Sequence, residues 1–421
     1  MGGIRGVHEA LMEYESKKVC VVGGGAAGMM AAGTATLYGA DVTIFENTDR
    51  LGKKLAITGK GRCNVTNRST TEEFLENVTK NPRFLYAALS AFDTESTVSF
   101  FEGLGVELKT ERGKRVYPAS DKAKDIVDAM KSYSSCAEKI FHKVRSIRHL
   151  DDGKYAVIAD KEYTFDSVII ATGGKSYPLT GSDGSGYRLA MRLGHTVTEL
   201  TPSLIPIESK SEYPKRMQGL SLKNIAIKIK TADGKTVYED FGEMMFTHFG
   251  VTGPVILSAS AHLRDYDIST LSLFIDLKPA LDEKTLDARL LADFSENTNK
   301  DFINSLGGLL PSKMIEPFVD MCGIDGRKKV NSVTKEERAK ILKTLKSMEI
   351  PLYAYRPIEE AIITSGGVSV KEITPKSMES KLHRGLYFAG EVIDVDAYTG
   401  GFNLQIAFST GYLAGKCAAE L

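Results

Sequence analysis

The sequence has no excess of either charge: 54 Lys and Arg residues balance 54 Asp and Glu residues. A chain built to follow a nucleic-acid backbone would show a clear basic excess, so that class is disfavoured. Cysteine is sparse. Cys20, Cys63, Cys136, Cys322 and Cys417 are odd in number, widely spaced and nowhere arranged as CxxC. This argues against a zinc ribbon, an iron–sulfur cluster or a local dithiol pair, and no metal site is expected. The cysteines suit a reducing compartment. Long apolar runs are lacking too. The most apolar region, residues 251–263, is broken by Gly253, Pro254, Ser258, Ser260 and His262, so no membrane-spanning helix is expected. No basic head with an apolar run behind it marks a secretory signal, and a cytoplasmic location is the expectation. Residues 1–16 read as a short leader. With 42% hydrophobic and 26% charged residues over 421 positions, the remainder is an ordinary globular mix of two or three domains.

What is present begins at Lys18. The apolar run Val19-Cys20-Val21-Val22 leads directly into Gly23-Gly24-Gly25-Ala26-Ala27-Gly28, then a small-residue helix, then Val42-Thr43-Ile44-Phe45 and the acid Glu46. This is the dinucleotide fingerprint in its required context of strand, glycine turn, helix, strand and acid. Gly23 permits the tight turn, Gly25 admits a pyrophosphate close to the backbone, and Gly28 lets the helix lie on the sheet. Glu46 suits the ribose hydroxyls and repels a 2′-phosphate. The segment from Arg50 to Asn67 then combines three glycines, five cations and little apolar periodicity. A loop of that composition either faces solvent or wraps a polyanion, and its start just past Glu46 favours a second clamp on the same ligand.

Thr70 to Ser99 reads as mixed helix, and Ser120 as the cap of a helix carrying Ile126, Val127 and Met130. Tyr155–Ile158 and Tyr163–Phe165 form a hairpin pattern, and Ser167 to Gly174 is a buried parallel strand ending in a glycine turn. Pro202 to Lys278 is rich in short alternating strands. Asp282 to Met348 takes the helical period, with Thr334 and Glu337 as a capping box. The chain returns to its first character at Gly385–Glu391, and Gly400-Gly401-Phe402-Asn403 opens a last helix. No internal repeat is visible, and the oligomeric state is left open.

The motifs GKKLAITGKGRCNVTN, ATGGKSYPLTGSDGSGYRLA, FTHFGVTGPVILSAS and GLYFAGEVIDVDAYTGGFNLQIAFSTGYLAG resemble the BaiN/RdsA family of FAD-dependent oxidoreductases, also labelled aminoacetone oxidase-like. The resemblance covers nearly all of the chain from Lys18 onward. It implies an α/β fold: a discontinuous Rossmann-like FAD-binding domain (1–193 and 353–421) with an inserted β-rich, barrel-like domain (194–281) and a small helical subdomain (282–352). It implies Gly23, Gly25, Ala26, Ala27 and Gly28 at the pyrophosphate, with Glu46 and Asn47 at the ribose. Lys53, Lys54, Gly61, Arg62, Cys63 and Asn64 would follow the cofactor towards the flavin. Val144, Thr172 and Gly173 would lie on the adenosine side, and Gly390, Glu391, Gly401, Phe402, Asn403 and Leu404 at the ribityl chain and ring edge.

No second fingerprint occurs, since Gly181-Ser182-Asp183-Gly184-Ser185-Gly186 has the wrong spacing. NAD(P)H is therefore expected only as a transient co-substrate. The resemblance implies reduction of a conjugated C=C bond in a 3-oxo steroid, bile-acid-like or other small enone. His248, Tyr117 and Tyr398 are the candidate proton donors or carbonyl polarisers. The alternatives are a dioxygen-using amine oxidase and, from another class, a nucleic-acid-associated or non-catalytic flavin-binding protein with Lys53, Lys54, Lys60 and Arg62 as its basic patch. Neutral charge and the lack of aromatics in that loop weigh against nucleic acid, and a small-molecule substrate is expected.

Overall fold

A computed structural model describes residues 16–420, so all but the last residue of the expected leader lies outside the described residues. Strand Lys18–Val22, buried in four of its five positions, pairs in parallel with Asp41–Phe45 on one side and Ser167–Ile170 on the other. Glu138–Ile140 and Leu386–Phe388 extend the sheet in parallel, and two short antiparallel strands close the second edge. Both ends of the chain thus build one seven-stranded sheet. Strands buried on both faces and joined by helical crossovers account for the near-continuous apolar runs in the sequence.

Helix Ala26–Leu37 and the final helix Phe402–Glu420 cross at close quarters. A Cβ on Gly411 or Gly415 would lie 2.5 Å from Ala27 O or 2.3 Å from Ala31 O, so only glycine fits. The hairpin expected near Tyr155 forms with Ser146–His149 as its third strand, and Tyr163 packs edge-on against Phe45 at 5.2 Å. One local expectation is corrected. Helix Ala123–Tyr133 starts after Lys122, and Ser120 bonds Asp125 and the Lys122 amide instead of capping it.

The chain leaves this unit along Thr201–Ser203 and returns along Ile363–Ser365, and the two crossings pair antiparallel. Between them, long strands Ser221–Thr231 and Thr236–Phe246 join Gly250–Thr252, Ile207–Glu208 and Leu271–Asp276 in an antiparallel sheet. One segment closes it. Met348–Pro351 pairs with Leu271–Asp276, and a few residues later Ala354–Tyr355 pairs with Ile207–Glu208 at the opposite end of the strand order. The result is barrel-like. Met348–Pro351 begins inside the stretch expected to be helical. Past Lys346 the burial pattern changes to alternation, Met348 and Ile350 inward, Glu349 and Pro351 outward, which is the period of a strand. Helices Glu283–Glu296, Ser312–Cys322 and Lys335–Lys346 share the barrel's apolar core, with Leu286, Leu290, Ile341 and Leu345 in one cluster with Leu273 and Ile350. The Thr334–Glu337 capping box is present.

Candidate functional site

The glycine turn sits at the carboxyl end of the first strand. Gly23 has φ +107°, and a Cβ on Gly28 would stand 1.8 Å from Gly23 O, so helix and turn meet without side chains between them. Gly25 differs: no atom of the described residues lies within 4 Å of the place its Cβ would take. The helix behind it has no acid in its first turn, so no side chain of its own answers its positive dipole end at this opening. The buried carboxylate of Glu46 borders the same opening, accepting from the Gly24 amide and the Thr48 amide, each at 2.8 Å.

The segment after Glu46 is unusual in its backbone. Gly59, Lys60, Gly61 and Cys63 all have positive φ (57°, 59°, 86° and 59°). Such runs cost energy in non-glycine residues and gather at turns that hold ligands. The cations here are mostly engaged: Lys53 pairs with Asp49 at 2.6 Å, Lys54 with Glu391 at 2.7 Å, and Arg62 with both Glu111 and Asp121. Cys63 is fully buried, and that burial pushes its thiol up to about 12, which makes it an inert packing group at neutral pH. Beside it Asn64 Oδ1 is buried with no partner among the described residues.

The third turn, Thr172 to Gly174, leads into a loop that runs from Glu391 back to Asn47. Glu391 accepts from Lys54 and, at 3.2 and 2.9 Å, from Ser176 Oγ and the Thr364 amide. At the other end Asn47 Nδ2 donates to Gly181 O at 3.2 Å. Gly173 lies between Ser182 and Glu391, and Val144 is buried just ahead of strand Ser146–His149. Gly390, with φ +74°, abuts Ala27. At the last helix Gly401 presses on the backbone of Thr66, and Phe402 is buried against Phe74. The Asn403 side chain turns back to Ala397 and Tyr398, so it shapes the loop ahead of the helix, and Leu404 is half-buried. No motif in the sequence points to Gln405. Fully buried, it accepts from Thr66 and Thr97 at 2.6 and 2.8 Å and donates to Phe92 O, locking the helix start to the Asn64–Asn67 stretch.

The structure thus brings the fingerprint, the Arg50–Asn67 loop and the Gly390–Leu404 segment to one side of the sheet. The donor set fits FAD: an open cradle at Gly25, a bordering carboxylate, a run of left-handed residues and a buried, orphaned amide oxygen at Asn64.

The three candidates for proton chemistry are separated. Tyr117 is buried, with the Arg62 guanidinium 4.2 Å from its ring centroid. His248 is exposed on a barrel hairpin beside Phe249. Tyr398 lies three residues ahead of Gly401, its amide bonded to Asn77 O at 3.0 Å, and its hydroxyl shares a hydrogen bond with His262 Nε2 of the barrel. His262 has no motif to announce it.

Residues 17–417 match the family described as HI0933-like protein Rossmann domain. The chain is 30% identical over 96% of its length to a 3-dehydro-bile acid delta(4,6)-reductase of Clostridium scindens, 99% of which is covered. It is 29% identical over 95% of its length to a ribosomal RNA dihydrouridine synthase of Haemophilus influenzae, 97% of which is covered. Among solved structures, a 3-ketosteroid-delta4-(5alpha)-dehydrogenase from Rhodococcus jostii shares the fold, with TM-score 0.51 and 15% identity over 98% of this chain and 99% of that one. No helix of the described residues is long and apolar enough to cross a membrane. The chain belongs to the HI0933-like (BaiN/RdsA) family of FAD-dependent oxidoreductases.

Proposed function

We propose that this protein uses NAD(P)H to reduce a carbon–carbon double bond conjugated to a carbonyl. The observation that carries this reading is a shared chemistry in the names of its relatives. A delta(4,6)-reductase saturates ring double bonds, and forming dihydrouridine adds two hydrogens across a C=C bond of the uracil ring. When bound, FAD supplies hydride transfer to and from carbon, and the protein supplies orientation and electrostatics. Gly23, Gly25 and the Ala26 helix start would hold the pyrophosphate, Glu46 the ribose, and Asn64 with the Gly401 helix start the ring edge. That helix end would also favour negative charge developing there.

A small enone is the first substrate reading. Ion pairing of Lys53, Lys54 and Arg62 within the protein supports it, because those cations are already compensated. The second reading, a uridine in ribosomal RNA, is favoured by two relatives of that name at 29% and 26% identity. The test is anaerobic stopped flow. NADH or NADPH should bleach the flavin, and a 3-oxo-Δ4 steroid should restore its colour faster than air; restoration by a ribosomal RNA fragment alone would select the second reading. No bleaching by either nicotinamide, alongside amine-driven peroxide release, would overturn both in favour of an oxidase.

A further inference from the structure

Reducing an enone requires a proton at the carbon next to the carbonyl as hydride reaches the carbon beyond it. We propose that Tyr398 and His262 form one proton-delivering pair, Tyr398 as the donor to that carbon and His262 as the residue that restores its proton. The inference rests on the reaction proposed above and goes beyond it by assigning the source of the proton.

Placement singles out Tyr398. It stands at the seam between the Rossmann unit and the barrel, its amide held by Asn77 O and its carbonyl by Asn403 Nδ2 at 3.2 Å, so its position follows the start of the last helix. Tyr117, by contrast, is buried beneath Arg62, and His248 sits on an exposed hairpin. Of the three, Tyr398 is the one whose hydroxyl is hydrogen-bonded to an imidazole. Its partner is the last residue of helix Pro254–His262, where the helix dipole favours a cation, and it is exposed to solvent that can resupply protons.

The surroundings tune the pair. The Tyr238 ring lies 4.8 Å from that of His262, and its hydroxyl donates to Asp240 at 2.8 Å. The covered part of its ring and Arg264 hold His262 below the usual imidazole range, while Asp240 opposes them. Burial raises the Tyr398 phenol, with Arg264 opposing and Asp240 and Asp396 assisting, so it stays protonated until used. In the step, the O–H bond of Tyr398 breaks and the π electron pair of the substrate forms the new C–H bond. The resulting phenolate takes the Nε2 proton of the His262 imidazolium, which leaves a neutral imidazole that takes its next proton from solvent. With the arriving hydride, the substrate gains two hydrogens and no charge.

The test compares wild type, Tyr398→Phe and His262→Gln as oxidised and reduced holoproteins. Reoxidation of the reduced protein by the enone should fall by about 10²–10⁴-fold in Tyr398→Phe, the range for a positioned acid. In His262→Gln the dependence of that rate on pH, below about pH 6.5, should disappear. Independently of turnover, NMR titration of the oxidised protein, with the His262 signal assigned by its loss in His262→Gln, should show its midpoint moving by roughly half a unit or more in Tyr398→Phe. An unmoved midpoint, or enone reduction at the wild-type rate in Tyr398→Phe, overturns the pair and leaves the proposed reaction standing. A wild-type protein that no conjugated carbonyl reoxidises overturns the reaction, and the midpoint then reads the pair alone.

Discussion

Arg264 Nη2 lies 2.7 Å from Asp396 Oδ2, joining the end of the barrel helix to the C-terminal segment of the Rossmann unit two residues before Tyr398. Asp396 is 0% exposed and also accepts from Ser203, Ser365 and Thr79 at 3.1, 2.9 and 2.8 Å. Four separate stretches of chain converge on one carboxylate. Removing one partner of a buried pair leaves an uncompensated charge, which costs about 3–5 kcal/mol. Arg264→Met should therefore destabilise the fold by that order in urea unfolding, and adding Asp396→Asn should recover part of the loss. A single variant within about 1 kcal/mol of wild type would show that the seam does not depend on this pair.

Two glycines of the fingerprint should respond oppositely to alanine. At Gly28 the new Cβ would meet Gly23 O at 1.8 Å, so Gly28→Ala must push the helix off the turn and should lower stability and soluble yield. At Gly25 it meets no atom of the described residues within 4 Å, and the backbone there (φ −81°, ψ −167°) is ordinary for any residue. Gly25→Ala should keep wild-type unfolding and lose FAD, because the methyl takes the cradle's space. Flavin content per folded chain reads both. Retention of FAD by Gly25→Ala would move the pyrophosphate elsewhere.

The distinct roles of these glycines are legible in the sequence alone, because strand, turn, helix and acid are contiguous and each obeys a local rule. The same holds for the hairpin near Tyr155 and the Thr334 capping box. What the sequence hides is non-local. Met348–Pro351 is a strand because it pairs with Leu271–Asp276 at one end of the strand order, just before Ala354–Tyr355 pairs with Ile207–Glu208 at the other. Gln405, Arg264 and His262 act by reaching across some 60 to 340 positions of sequence, and no spacing rule announces such pairs. His262 reads as a break in an apolar run until the fold sets Tyr398 against it.

Glu46 is the next test. Both its oxygens already hold backbone amides, so truncation should loosen the Gly24 turn as well as remove a ribose acceptor. Glu46→Ala is expected to weaken FAD by about 1–3 kcal/mol, the scale of hydrogen bonds to a charged group. Glu46→Gln keeps one acceptor oxygen and should fall between the two. Flavin fluorescence titration measures all three proteins, and equal affinities would remove Glu46 from the ribose site.

His195 should give the protein an acid-side weakness. Its ring is buried beside Phe388, with Ser380 Oγ 3.0 Å from Nε2 and Glu372 3.3 Å from Nδ1. Burial holds its folded-state pKa below the usual imidazole value; Glu372 opposes that and the nearby His383 adds to it. A depressed pKa means that the unfolded chain binds the proton more readily. Stability is therefore fully present above the unfolded value of about 6.5 and drains away as pH falls through the folded one. The thermal midpoint should decline from about pH 7 to about pH 5.5 more steeply in wild type than in His195→Asn, which has no proton to take up. Replacing Glu372 by Gln should steepen the decline, since the carboxylate is what keeps the protonated ring tolerable. Parallel midpoint-against-pH curves for wild type and His195→Asn would assign the acid sensitivity to other groups.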